Sequence, residues 1–390
     1  MSIAVATVTT ASIVGRTIRV MVVDDAAVAR RLVTRWVGAE PDMTVAASLR
    51  NGREAVEQLE ASNPDVVVLD VDMPELDGIA ALPLLLTKKR DLTVIMASAL
   101  TRRGAEISLR ALSLGAADYV PKPDAATDSR TSAAFRSELI DKIRRFGRRG
   151  RSPARAGLPA PKSPKDPPQH EPRPAAPCSR EEVPSKAVRG QTFARMPPRA
   201  LLIGASTGGP QALAVLLEKL TAAIDSGPVL IAQHMPATFT TVLAEHLTRV
   251  AGRGAHEAEH GELVLPGGIY VAPGGRHMRV VRAHDGVRIA LGNDPPINFC
   301  KPAVDALFSS AAAVWGAGAL ALVLTGMGCD GTRGAADVVA AGGSVIAQDE
   351  ASSVVWGMPR SVARAGLCSA VLPLDEIAPR VIRLFSGGHA

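Results

Sequence analysis

Aromatic residues are scarce: seven Phe, three Trp and two Tyr make up 3% of the 390 residues. So few leave little with which to stack nucleic-acid bases, which argues against a single-strand-binding face. Cysteine is as sparse. Cys178, Cys300, Cys329 and Cys368 show no paired metal-ligand spacing, which excludes a zinc ribbon or disulfide framework and reads as free thiols in a reducing compartment. No uninterrupted apolar run approaches the roughly 20 residues of a membrane-spanning helix. Met1–Thr17 is apolar and Thr-rich, but its lone basic residue, Arg16, follows the apolar run, the wrong order for a secretory leader. It reads as a disordered extension. These absences predict a soluble, cytoplasmic protein that neither inserts into a membrane nor binds nucleic acid.

What is present is ordinary globular material, 47% hydrophobic and 21% charged, with length for two or three domains. The formal charge of +6 is concentrated: residues 142–198 hold fourteen Lys and Arg against four acids, +10 in that segment, so the remainder carries −4. The same region has twelve of the 29 prolines and no apolar periodicity. Residues 144–198 therefore read as an extended Pro/Arg-rich linker and not as a basic binding face.

Ahead of the linker, from Ile18, short β-type runs alternate with helical patterns: IRVMVV, MTVAASL, DVVVLD, TVIMAS and ADYVPK are each followed by an amphipathic stretch. This alternation predicts a doubly wound parallel sheet over 18–143, whose crevice lies at the carboxyl ends of the strands. Asp24 and Asp25 follow the first strand, Asp70 ends the third, Ser98 the fourth and Lys122 the fifth. Three converging carboxylates repel one another and call for a hard divalent cation such as Mg²⁺, while a lysine and a hydroxyl beside them suit a phosphoryl group. Asp72 competes with Asp70, although the strand run ends on Asp70.

With Asp24-Asp25, Leu69-Asp70-Val71-Asp72-Met73-Pro74, Asp77-Gly78, Ser98 and Tyr119-Val120-Pro121-Lys122-Pro123 in these places, Ile18–Lys122 resembles a response-regulator receiver domain. The resemblance implies a flavodoxin-like fold in which Asp70 accepts phosphate. It also implies that Asp25 and Asp70 hold Mg²⁺ with Asp24 assisting, that Lys122 contacts the phosphoryl group, and that Ser98 and Tyr119 form the switch.

Beyond the linker, Leu201–Pro210 reads LLIGASTGGP, an apolar strand stopping at a glycine-rich turn. Gly204-Ala205-Ser206-Thr207-Gly208 fits a nucleophile elbow, and equally a loop cradling phosphate at a helix N-terminus. PVLIAQHM (228–235) reads as a buried strand ending at Gln233-His234, and ALALVLTG (319–326) as one running into Gly326-Met327-Gly328-Cys329-Asp330-Gly331. Residues 277–291 alternate like a hairpin, and 344–348 read as another strand. The expectation is a second, mostly parallel α/β domain over 199–390. Its strand ends would gather Ser206, His234 and Asp330: a hydroxyl, a base to take its proton and an acid to orient the base. His277, near glycine turns, rivals His234; Asp294, Asp305 and Asp349 rival Asp330. Glycines around Asp330 would leave N–H groups free for an oxyanion.

The motifs Gly204–Pro210, Gln233-His234-Met235-Pro236, Tyr270-Val271-Ala272-Pro273-Gly274-Gly275, Lys301-Pro302-Ala303-Val304-Asp305, Thr325–Gly331 and Gly357-Met358-Pro359 resemble the catalytic domain of the chemotaxis protein-glutamate methylesterases over almost all of Arg199–Phe385. The domain order matches that family throughout. The resemblance implies a Rossmann-like catalytic domain with a Ser206–His234–Asp330 triad, the Met327 N–H as oxyanion donor with Thr207 alongside, and no cofactor in that domain. It further implies hydrolysis of glutamate γ-methyl esters on methyl-accepting chemotaxis receptors, often with deamidation of receptor glutamines, under a chemotaxis histidine kinase that supplies phosphate. The alternatives are a non-chemotaxis methyl-accepting substrate, or an adaptor whose GASTGG loop only binds an anion.

Overall fold

The computed structural model describes residues 17–122, 129–149 and 191–388. The extension before Thr17 and connector residues 150–190 lie outside them. In the first domain, β1 (Ile18–Val23), β2 (Met43–Leu49), β3 (Val66–Asp70), β4 (Thr93–Ala99) and β5 (Asp118–Lys122) form a parallel sheet in the order β2-β1-β3-β4-β5. The strands alternate with α1 (Ala27–Gly38), α2 (Gly52–Ser62), α3 (Gly78–Lys88), α4 (Arg102–Ser113) and α5 (Ser129–Arg149). Local chemistry sets the helix starts: Asn51, Asp77 and Thr101 each accept a first-turn N–H, from Glu54, Ala80 and Gly104. The Asp77-Gly78 pair serves a second purpose. A Cβ on Gly78 would lie 2.0 Å from the Asp70 carbonyl oxygen, so glycine lets α3 approach the end of β3.

The expected start of the linker at 144 is too early. Helix α5 continues to Arg149 because Ile143 and Phe146 are buried, and because Arg144 reaches Asp42 and Glu40, both at 2.8 Å. At the other end, residues 191–198 are tied to the second domain through Gln191 N–H to the Cys368 carbonyl and Ala194 N–H to Ser344 Oγ.

The second domain has a seven-stranded sheet, entirely parallel, in the order β14-β13-β12-β6-β7-β9-β8. Its strands are β6 (Ala200–Ala205), β7 (Val229–Gln233), β8 (Ala255–Glu257), β9 (Ile269–Val271), β12 (Ala319–Val323), β13 (Ser344–Gln348) and β14 (Ala370–Leu372). A hairpin of β10 (His277–Ala283) and β11 (Gly286–Gly292) stands apart. The helices are α6 (Gly209–Lys219), α7 (Thr221–Ser226), α8 (Ala237–Ala251), α9 (Val304–Trp315), α10 (Thr332–Ala340), α11 (Met358–Arg364) and α12 (Leu374–Phe385). The chain runs outward from β6 through β7, then returns to place β12 on the other side of β6, which makes the gap between β6 and β12 the switch point.

The domains touch along α4, α6 and α8. The Tyr119 ring stacks on Phe239 at 4.7 Å and 7°. Arg102 forks onto Glu245 at 2.6 and 2.7 Å, and Gln211 donates to the Ala116 carbonyl at 3.3 Å. One buried apolar cluster runs through both domains. No helix among the described residues is long and apolar enough to cross a membrane.

Candidate active site

Ser206 leaves β6 at the switch point, held by its backbone: its N–H donates to the Thr325 carbonyl at 3.0 Å, and its carbonyl accepts from Gln233 Nε2 at 2.9 Å. Gly326 is required here. A Cβ at that position would lie 2.8 Å from Ser206 Cβ and 2.5 Å from Met358 Sδ. His234 follows β7, its N–H on the Ala205 carbonyl at 3.1 Å, so adjacent strands deliver hydroxyl and imidazole side by side.

Asp330 is buried, and His234 Nε2 lies 2.8 Å from its Oδ2. The carboxylate also accepts from the N–H groups of Val304, Asp305 and Gly331, at 2.7, 3.1 and 3.0 Å. Val304 and Asp305 open α9, whose first-turn donors have no intrahelical partner and whose positive end favours an anion. Burial alone would raise the Asp330 carboxyl, but the imidazole and these donors outweigh it and hold it below the usual carboxylate range. For His234, burial works to lower the imidazole; hydrogen bonds to Asp330 and Cys300 prevail and raise it to about 9. With Nε2 turned to the carboxylate, Nδ1 is the ring nitrogen left free of it. No hydrogen bond joins Ser206 Oγ to the ring among the described residues.

The rivals have other partners. His277 is fully buried with both nitrogens engaged, Nε2 with the Pro295 carbonyl at 3.1 Å and Nδ1 with the Ala303 N–H at 3.2 Å. Asp305 accepts the Gly334 N–H at 2.8 Å in the first turn of α10. Asp294 pairs with Arg279 at 2.7 Å, and Asp349 accepts from Ser352. The Met327 N–H has no acceptor among the described residues. Met327 and Thr207 line the same cavity as Ser206, a space of about 730 Å³ whose other wall carries Asp118, Tyr119, Glu138 and Lys142 of the first domain.

At the first domain's strand ends, carboxylate oxygens of Asp24, Asp25 and Asp70 lie within 4.8 Å of one another, a donor set that fits a hard divalent cation. Lys122 Nζ bridges Asp24 and Asp70, each at 2.7 Å. Burial, with Asp24 adding to it, raises the Asp70 carboxyl to about 6 against the pull of Lys122. Asp72 is exposed, its carboxylate 3.5 Å from Arg103. Ser98 is buried with its hydroxyl 2.7 Å from Ser108 Oγ, and Tyr119 is buried under Phe239.

Sequence reasoning missed Cys300, whose Sγ lies 3.4 Å from His234 Nδ1. Its place beside the conspicuous Lys301-Pro302 motif was the available signal.

Two α/β domains, one with a carboxylate–lysine pocket and the other with a serine at a topological switch point beside a His–Asp pair, have the build of an enzyme joined to a receiver module. A family model described as CheB methylesterase matches residues 201–381, and one described as response regulator receiver domain matches residues 20–132. A Rhodopseudomonas palustris protein named protein-glutamate methylesterase/protein-glutamine glutaminase of group 2 operon is 59% identical over 96% of this chain and 95% of its own length. A Nitrobacter hamburgensis protein named protein-glutamate methylesterase/protein-glutamine glutaminase is also 59% identical, with the same coverage of each chain. The Thermotoga maritima CheB methylesterase catalytic domain, a crystal structure, is 40% identical over 48% of this chain and 98% of its own, with a TM-score of 0.47. The chain belongs to the protein-glutamate methylesterase/protein-glutamine glutaminase family.

Proposed function

We propose that the chain is a phosphorylation-activated protein-glutamate methylesterase that demethylates glutamate γ-methyl esters on chemotaxis receptors and deamidates receptor glutamines, working in the cytoplasm. The observation that carries this reading is that Ser206 and His234 line one cavity whose far wall is the receiver, with buried Asp330 2.8 Å behind the imidazole.

His234 Nδ1 takes the Ser206 proton as Oγ attacks the ester carbonyl, and Asp330 stabilises the imidazolium. The Met327 N–H, with Thr207 alongside, receives the oxyanion, an interaction worth about 10²–10³ in rate where a single donor has been removed from comparable sites. The imidazolium gives its proton to the methoxy oxygen as the C–O bond breaks and methanol leaves, or to the amide nitrogen as ammonia leaves when the substrate is glutamine. Water activated by the same base then frees the carboxylate. Asp70 receives phosphate from a chemotaxis histidine kinase, with Asp24, Asp25 and Asp70 as ligands for Mg²⁺, which would neutralise charge on the phosphoryl group. Lys122 would hold a phosphoryl oxygen, while Ser98 and Tyr119 carry the change to the domain contact. Ser206→Ala should abolish methanol release from a methylated receptor fragment yet still take up phosphate at Asp70 from a small acyl phosphate. Appreciable esterase activity in that variant would sink the assignment.

A further inference from the structure

Two independent features converge on Cys300. The first is its contact with the base. Because His234 Nε2 is committed to Asp330, Nδ1 is the nitrogen left to accept a proton, and the side chain set against it is the Cys300 thiol at 3.4 Å. The second is the turn that carries the thiol. Ile297 and Cys300 exchange backbone hydrogen bonds at 3.1 and 2.8 Å around Asn298 and Phe299, with φ of 51° and 63°. A phenylalanine there is disfavoured by its own Cβ and persists only where the surroundings fix it. Asn298 Nδ2 supplies that fixation, spanning Asp305 Oδ2 at 3.1 Å and Asp330 Oδ1 at 3.3 Å. The carboxylate that orients the imidazole therefore also anchors the turn that presents the sulfur.

We propose that Cys300 is a positioning residue of the esterase, its thiol holding Nδ1 of His234 in competition with Ser206 and so setting how readily the base can accept the serine proton. The inference rests on the methylesterase reading. Of the other described cysteines, Cys329 is exposed, and Cys368 is buried, with burial raising its thiol to about 12. Charged groups also face the cavity, namely Asp118, Glu138, Asp141 and Lys142 from the receiver and Lys301 beside the thiol. None of these is hydrogen-bonded to the imidazole, and all remain in place when residue 300 changes.

The test compares pH–rate profiles of methanol release from a methylated receptor fragment for the full chain, Cys300→Ala and Cys300→Ser. The Cys300 thiol donates to the Asn298 carbonyl at 3.3 Å, which leaves its sulfur to accept from Nδ1–H of the imidazolium; Cys300→Ala removes that acceptor, so its rising limb should move at least half a pH unit lower, with a severalfold gain near pH 7. Cys300→Ser restores a hydrogen-bonding group and should return the limb toward the wild type. Three superimposed profiles would overturn the proposal. A methyl methanethiosulfonate arm decides the case if Cys300→Ala does not fold: the thiolate attacks the sulfenyl sulfur, a mixed disulfide forms and methanesulfinate leaves. Mapped labelling of Cys300 should cut the wild-type rate at least tenfold; full labelling with an unchanged rate would overturn the proposal. Ser206→Ala run alongside separates the two failures, because residual activity there removes the methylesterase reading itself.

Discussion

At the scale of residues, the site is governed by which polar group each titratable atom meets. His234 is raised to about 9 in the folded chain from an ordinary value of 6.5, so the native state binds the proton more tightly than the unfolded chain. That stabilisation is fully present below pH 6.5 and is lost as pH rises through 9. Its upper size is about 3 kcal/mol, taking roughly 1.36 kcal/mol for each pH unit. His234→Gln should therefore flatten the decline in denaturation midpoint between pH 6.5 and 9; an unchanged decline would show that the imidazole is not held protonated. The positions of Ser206 and His234 at strand ends, and of Asp330 in the loop after β12, were legible in the sequence because each follows a buried apolar run or lies in the glycine loop beyond one. Neither the orientation of the ring nor Cys300 was. The thiol meets the imidazole across 66 positions of sequence, and only the folded turn at 297–300 brings them together.

At the scale of elements, two carboxylates near the start of α9 look alike in sequence and do different work. Asp330 is bound by the first N–H groups of α9, whereas Asp305, within that helix, accepts from Gly334 and fixes the start of α10. Asp305→Ala should behave as the loss of a helix cap and cost about 1–2 kcal/mol in denaturant unfolding, with esterase turnover within a few fold of wild type. Asp330→Ala, by contrast, leaves the imidazole without its orienter, and turnover should fall by about 10⁴. Equal losses of turnover in the two variants would contradict this division. Long apolar strands and the β10–β11 hairpin could be read from periodicity, but β8, β9 and β14 have three residues each, too few to show a period. The end of α5 was misread for another reason: its last turns are rich in arginine, and what holds them is pairing with Asp42 and Glu40 from a distant loop.

At the scale of the whole molecule, control of Ser206 from Asp70 requires that the domain contact be strong enough to close the cavity and weak enough to yield. The contact is mixed. Tyr119 lies flat on Phe239, and its own backbone carbonyl is held by buried Lys142 at 2.7 Å, an arrangement that ties the receiver's β5 to α8 of the catalytic domain. The Arg102–Glu245 pair is exposed on both sides and is screened by salt. An aromatic pair contributes about 0.5–1.5 kcal/mol beyond the area it buries, a factor of roughly 2–12 in a two-state equilibrium. Tyr119→Leu keeps an apolar side chain but loses the stack, so it should raise methanol release by the unphosphorylated chain within that range and narrow the gain from phosphorylation by the same factor. Arg102→Ala should give a smaller rise that disappears at high salt. If neither substitution changes the unphosphorylated rate while both leave the fold intact, the face made by α4, β5 and α8 does not restrain the esterase, and restraint must come from the α5 wall, where Glu138 and Lys142 line the same cavity as Ser206.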